Sequence, residues 1–96
     1  MKFNITEVAE LELKEVVSYY NNECPGLGYE FDNEVQNAFG RILRNPEAWT
    51  SLSSRTRRSI TRRFPYAIIY PIRPDEILIV AIMHMHRDPK LWEDRL

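Results

Sequence analysis

Two histidines and a crowd of arginines are the residues of this chain best suited to chemistry. His84 and His86 stand two apart with Arg87 beside them, and Arg55, Arg57, Arg58, Arg62 and Arg63 fill the stretch 55–63. An imidazole with an ordinary pKa of about 6.5 can take and return a proton near neutral pH. A guanidinium stays charged and grips phosphate or carboxylate with two parallel hydrogen bonds. Such a set suits either phosphate chemistry, with His84 as acid or base and Arg63 and Arg87 on the anion, or recognition of a charged partner. For Arg63 the structural alternative is an ion pair with an acidic helix residue. For His84 it is a histidine at the end of a buried strand, bonded to backbone.

Other chemistries find less support. His84 and His86 have no third ligand placed by spacing, so no metal site is expected, and no cofactor is implied. Cys24 is the single cysteine, which leaves no disulfide or redox pair, and it reads as a partly buried thiol. Glu7, Glu10, Glu12 and Glu15 read as a solvated helix face with nothing to raise their pKa. Gly26 and Gly28 lie in a helix connection, not in a phosphate-cradling loop between strand and helix.

The elements that must position these residues follow from periodicity. Phe3 and Ile5 alternate with Lys2 and Asn4 as a short strand, and Thr6 is a helix N-cap with Glu7 and Glu10 in the first turn. Ala9, Leu13, Val16, Val17 and Tyr20 form one buried helical stripe, ending near Asn22. Val8 and Leu11 fall opposite that stripe. The breaker Pro25-Gly26-Leu27-Gly28 predicts a turn into an antiparallel second helix. That helix buries Leu27, Phe31, Val35, Ala38, Phe39 and Ile42 and stops at Asn45-Pro46. Residues 47–56 read as a loop, and 57–63 as a strand. The runs FPYAIIYPI and ILIVAIM, divided by Arg73 to Glu76, read as a hairpin. Alternation puts Arg62 and Arg63 on opposite faces; parity leans to Arg63 for an open side of the sheet without deciding between them. Asp88-Pro89 predicts an N-cap and first position of a short final helix. The expected fold is α+β: a short N-terminal strand and an antiparallel helix hairpin packed on a mostly antiparallel sheet, in one domain spanning 1–96.

Charge narrows the partners. The formal net charge of −1 hides a first half at −5 and a second at +4, and the stretch 48–74 holds arginines with no acid. That asymmetry can steer an anionic ligand, while the pI near 6.1 disfavours indiscriminate nucleic-acid binding. No run approaches the length of about 18 apolar residues that a membrane span needs, and the acidic opening MKFNITEVAE does not read as a leader, so a cytoplasmic protein is expected.

The order strand, helix pair, antiparallel strands and short tail resembles the RelE/ParE superfamily of type II toxins. Tyr19-Tyr20, Pro25-Gly26-Leu27-Gly28, Phe31, Glu34-Val35, Ile42, Asn45-Pro46, Trp49, Arg63-Phe64-Pro65-Tyr66, Tyr70, His84, Arg87, Trp92 and Arg95 look like its ParE-type branch, the plasmid stabilisation family. The resemblance implies a toxin held in check by a cognate antitoxin. Two activities occur among such toxins. ParE-like members bind DNA gyrase and stall it, which would call on Arg58, Arg62, Arg63, His86 and Arg87 as contacts to target or antitoxin. RelE-like members are metal-independent, ribosome-dependent mRNA endonucleases, which would call on His84, Arg63 and Arg87 as catalytic groups. A degenerate, non-toxic antitoxin-binding member is the third reading. RelE-like sites are lysine-rich with a late tyrosine or histidine; here Lys90 is the only lysine after Lys14, and no tyrosine follows Tyr70. Trp92 stands near the C terminus instead, as a packing residue. These departures favour the gyrase-binding reading.

Overall fold

A computed structural model of the chain describes residues 1–87 and 89–96, with the side chains of 89–91 excepted. The Asp88 cap therefore lies outside the described residues. Strand β1 (Lys2–Ile5) leads into helix α1 (Glu7–Glu23), and helix α2 (Leu27–Arg44) returns alongside it. Strands β2 (Thr50–Ser51), β3 (Thr56–Ile60), β4 (Tyr66–Pro71), β5 (Glu76–Ile79) and β6 (Ala81–His84) follow, and a 3₁₀ helix, Pro89–Arg95, ends the chain. This is the expected α+β architecture. No helix of the described residues is long and apolar enough to cross a membrane.

Local chemistry sets the helix ends. The Thr6 hydroxyl oxygen accepts the Ala9 N–H at 3.2 Å, fixing the start of α1. Gly26 enters α2 with φ 92°, a left-handed conformation open to glycine at no steric cost. At Gly28 the helices touch: its N–H donates to Asn21 Oδ1 at 2.8 Å, and a Cβ there would lie 2.1 Å from the Val17 carbonyl oxygen. Cys24, expected to be partly buried, is exposed because it caps α1 outside the helix contact.

The sheet is more elaborate than the expected strand over 57–63 followed by a hairpin. One ladder runs in the order β2-β3-β4-β6, while β5 pairs in parallel with β1. The second apolar run thus serves two partners. Its break is a bulge: Ile69 faces Ala81, Ile72 bridges Ile77, and Val80 also donates its N–H to Ile69 O at 2.9 Å. Ile77 and Ile79 face the helices before the bulge and Ile82 does so after it, while Val80 and Ala81 both face the reverse side. The loop expected at 47–56 contains β2, paired with β3. The strand expected over 57–63 is instead Thr56–Ile60. Thr61 ends it by folding back, with its N–H on Tyr66 O at 2.9 Å and its hydroxyl on Phe64 O. Glu76 begins β5 instead of closing the turn.

No side of the sheet is open at its centre. Helix residues Ala9, Leu13, Phe31, Val35, Ala38 and Ile42 pack with Ile68, Tyr70, Ile79 and Ile82 on one face. On the reverse, Trp92 covers Ala67, Ile69, Val80, Ala81 and Met83. Tyr70 is fully buried and donates its hydroxyl to Pro46 O at 2.6 Å. Burial pushes that hydroxyl up to about 12, with the Arg57 guanidinium opposing the shift.

Two expectations follow. Gly28→Ala should lower stability in urea melts by about 3 kcal/mol, since backbone must move, whereas Gly40→Ala should raise it by about 0.5–1 kcal/mol, because its Cβ would meet only Arg44 Nη1 at 3.7 Å. The fold accommodates Tyr70 as the neutral phenol, so that contribution is complete below the unfolded pKa of about 10 and disappears as pH rises toward 12. Tyr70→Phe should cost about 1 kcal/mol at neutral pH and flatten the alkaline loss of stability between pH 10 and 12.

Candidate functional site

Most of the candidate residues gather at one end of the sheet, on two neighbouring turns. Residues 61–65 join β3 to β4, residues 85–87 leave β6, and the Met85 N–H donates to Pro65 O at 2.9 Å to bind the turns together. Within the second turn the Arg87 N–H donates to His84 O at 3.0 Å, and the His86 N–H donates to His84 Nδ1 at 3.2 Å. With Nδ1 occupied as an acceptor, a neutral His84 carries its proton on Nε2. His86 and Arg87 are exposed and His84 is half-buried.

An aromatic stack supports this end from below. Phe31 lies 5.2 Å from both Phe64 and Tyr66, Tyr20 lies 4.9 Å from Phe64, and Tyr66 lies edge-on to His84 at 5.4 Å. The His86 ring continues the series 5.3 Å beyond His84. Burial raises the Tyr20 and Tyr66 hydroxyls above their ordinary value; Tyr19 adds to both shifts, and Arg87 opposes that of Tyr66. His84 is thus held by a ring on one side and a turn on the other.

The arginines divide. Arg63 is clasped to α2, with Nη2 3.2 Å from Glu30 Oε1, Nε 3.2 Å from Glu34 Oε2 and its backbone N–H donating to Glu34 Oε1 at 2.9 Å. Its guanidinium also covers the Phe64 ring at 5.1 Å. Arg63 and Glu30 are each 57% exposed, so the pair is worth at most about 1 kcal/mol and serves mainly to orient the turn. Arg62 is exposed beside it and borders a shallow cleft with Glu34, Asn37 and Arg41. Arg58 lies mid-strand on the reverse face, where it lines a small depression with Met83, His84 and Arg87. Arg57 turns to the helix face and donates from Nη1 to Trp49 O at 2.7 Å. Arg55 sits at the far end of the sheet, its carbonyl accepting the Ile72 N–H.

His84 and Arg87 therefore share two clefts, while Arg63 lines neither. Pairing gathers Arg62, Arg63, His84, His86 and Arg87 at one sheet end and leaves Arg55 at the other.

Sequence reasoning missed Glu12. It is not part of a solvated face: Oε1 accepts the Ile82 N–H at 3.1 Å, and Arg95 grips both oxygens at 2.8 and 3.1 Å. Arg95 Nη1 also donates to Val80 O at 3.1 Å. This ion pair occupies the outer edge of β6 and fastens the 3₁₀ helix to α1. The spacing of Glu12 from Ala9 and Val16, three and four positions away, was the one signal that it borders the buried stripe.

A helix hairpin on one face of a mostly antiparallel sheet, with basic turns at its end, makes an α+β module. Comparison with known proteins places that module in a family. The family described as ParE toxin of type II toxin-antitoxin system, parDE, matches residues 3–89, and the chain belongs to that family. Among solved structures, a chain of the chromosomal ParDE TA system from P. aeruginosa superposes with a TM-score of 0.78 at 18% identity, covering 90% of this chain and 97% of that one. A search of curated proteins finds no significant match.

Glu12→Ala should cost about 2 kcal/mol in urea melts, because it leaves Arg95 and the Ile82 N–H without their acceptor in a half-buried setting. Glu12→Gln, which retains an oxygen acceptor, should cost about half as much.

Proposed function

We propose that this chain is the toxin of a type II toxin–antitoxin pair and stops growth in the cytoplasm by binding DNA gyrase, with a cognate antitoxin neutralising it. Family membership supports the toxin class. One observation supports the choice between targets: of the two cations that the nuclease reading calls on, Arg63 is held by Glu30 and Glu34 and lines neither cleft that His84 shares with the other, Arg87. Cleavage by a ribose 2′-hydroxyl requires base, acid and cation around one phosphate. A binding surface has no such requirement. It needs exposed charge on a rigid frame, and Arg62, His86 and Arg87 are exposed on turns tied by the Met85–Pro65 hydrogen bond. Arg58 and Arg63 flank them as further contacts to target or antitoxin. Contacts of this kind govern on-rate and partner choice, and charge reversal there acts without disturbing the core.

The purified chain should inhibit supercoiling by gyrase and leave translated mRNA intact. Codon-specific cleavage of that mRNA, with supercoiling unaffected, would overturn the reading. Arg87→Glu should weaken supercoiling inhibition by about tenfold or more while its thermal melt stays near that of the parent.

A further inference from the structure

The end of the sheet opposite His84 carries a second concentration of charge. Arg44 leaves the last turn of α2, Arg55 and Arg57 flank the start of β3, and Arg73 follows β4. All four line one open cleft of about 760 Å³, against a single carboxylate, Glu47. Among the described residues Arg73 alone of the four has an ion pair, with Glu76 at 3.2 Å. Arg44, Arg55 and Arg57 have none.

The cleft is built, not draped. The Tyr70 hydroxyl ties Pro46 at 2.6 Å, Ala48 N–H donates to Asn45 O at 3.1 Å, and Ile72 N–H is bonded to Arg55 O. Arg57 is half-buried and locked by its bond to Trp49 O at 2.7 Å, with Nε buried and lacking an acceptor. Four like charges against the Glu47 carboxylate and the Glu76 partner of Arg73 still repel one another, and here they do so in a protein whose net charge is only −1. An anion relieves that repulsion. Pro46, Ala48, Ile72 and Pro74 supply aliphatic walls, and no aromatic ring lines the cleft for a base to stack on.

We propose that this cleft binds closely spaced phosphate groups, as carried by a nucleoside triphosphate or by successive phosphates of a single-stranded nucleic acid. Guanidinium forks match phosphate oxygens in pairs, and the aliphatic walls make recognition indifferent to the base. The site lies at the other end of the sheet from the turns assigned to target binding, and neither assignment rests on the other.

Fluorescence anisotropy of a labelled oligothymidylate of about 10 nucleotides, titrated with the full chain, tests the proposal. Saturable binding should weaken with salt between about 50 and 200 mM, with a log–log slope of about −2 to −3 for three or four phosphate contacts. Arg55→Glu should weaken it about tenfold, with an unchanged melt because Arg55 is exposed. Lys14→Glu, the same charge change on distant, exposed α1, should leave it within about twofold. Displacement of the strand by ATP or inorganic tripolyphosphate assigns the site to free nucleotide as well; resistance to both assigns it to the polymer, and each outcome supports phosphate binding. Three results overturn it: no saturable binding, equal losses in Arg55→Glu and Lys14→Glu, or displacement by a heptaglutamate peptide as effective as by tripolyphosphate.

Discussion

Strand β4 is buried on both faces, and the arrangement of the whole molecule follows from that constraint. Ile68 and Tyr70 demand cover on one side, Ala67 and Ile69 on the other. The helix hairpin supplies the first layer. Among the described residues no second pair of helices lies on the reverse, and Trp92 and Leu52 provide the cover there. With both faces closed, most of the arginines and both histidines lie toward the strand ends, Arg58 remaining mid-strand on the reverse face. Those at the ends fall into two sets, one on the turns around His84 and one around the cleft at Arg55 and Arg57.

Covering the reverse face with so short a segment creates a problem at the edge of the sheet. Beyond β1 and β5, strand β6 would expose unpaired backbone groups. Glu12 and Arg95 answer it together, taking the Ile82 N–H and the Val80 carbonyl. The bulge at Val80 allows this, because it lets one run pair with β1 early and with β4 later while keeping large side chains in both cores. A single ion pair thus closes an edge, anchors the tail and holds Trp92 over the reverse core.

Much of this was legible in the sequence because it rests on local rules. Thr6 as a cap, the stripe from Phe31 to Ile42, the stop at Asn45-Pro46 and the turn after Ile72 all depend on neighbours within a few residues. Most of what escaped was non-local. The parallel pairing of β1 with β5 joins residues at opposite ends of the chain, and no pattern in ILIVAIM announces that it bulges. Strand parity does not apply at Arg62 and Arg63, because Thr61 ends the strand by bonding forward to Phe64 and Tyr66, a local contact hidden by the alternation of 57–63. The acidic partners of Arg63 were anticipated as a type but not as Glu30 and Glu34. The segregation of charge was visible at once, whereas its division between two sheet ends required the fold.

The proposed function requires that the turns around His84 act by contact, with the imidazole serving as a packed neighbour of Tyr66. Growth arrest on controlled induction of His84→Gln tests it most directly, alongside the thermal melt of the purified variant. Glutamine keeps polar reach but cannot exchange protons near neutral pH. Arrest equal to that of the parent is expected, with a melt within a few degrees of it. Loss of arrest in a variant that melts like the parent would contradict it and return His84 to the role of catalyst.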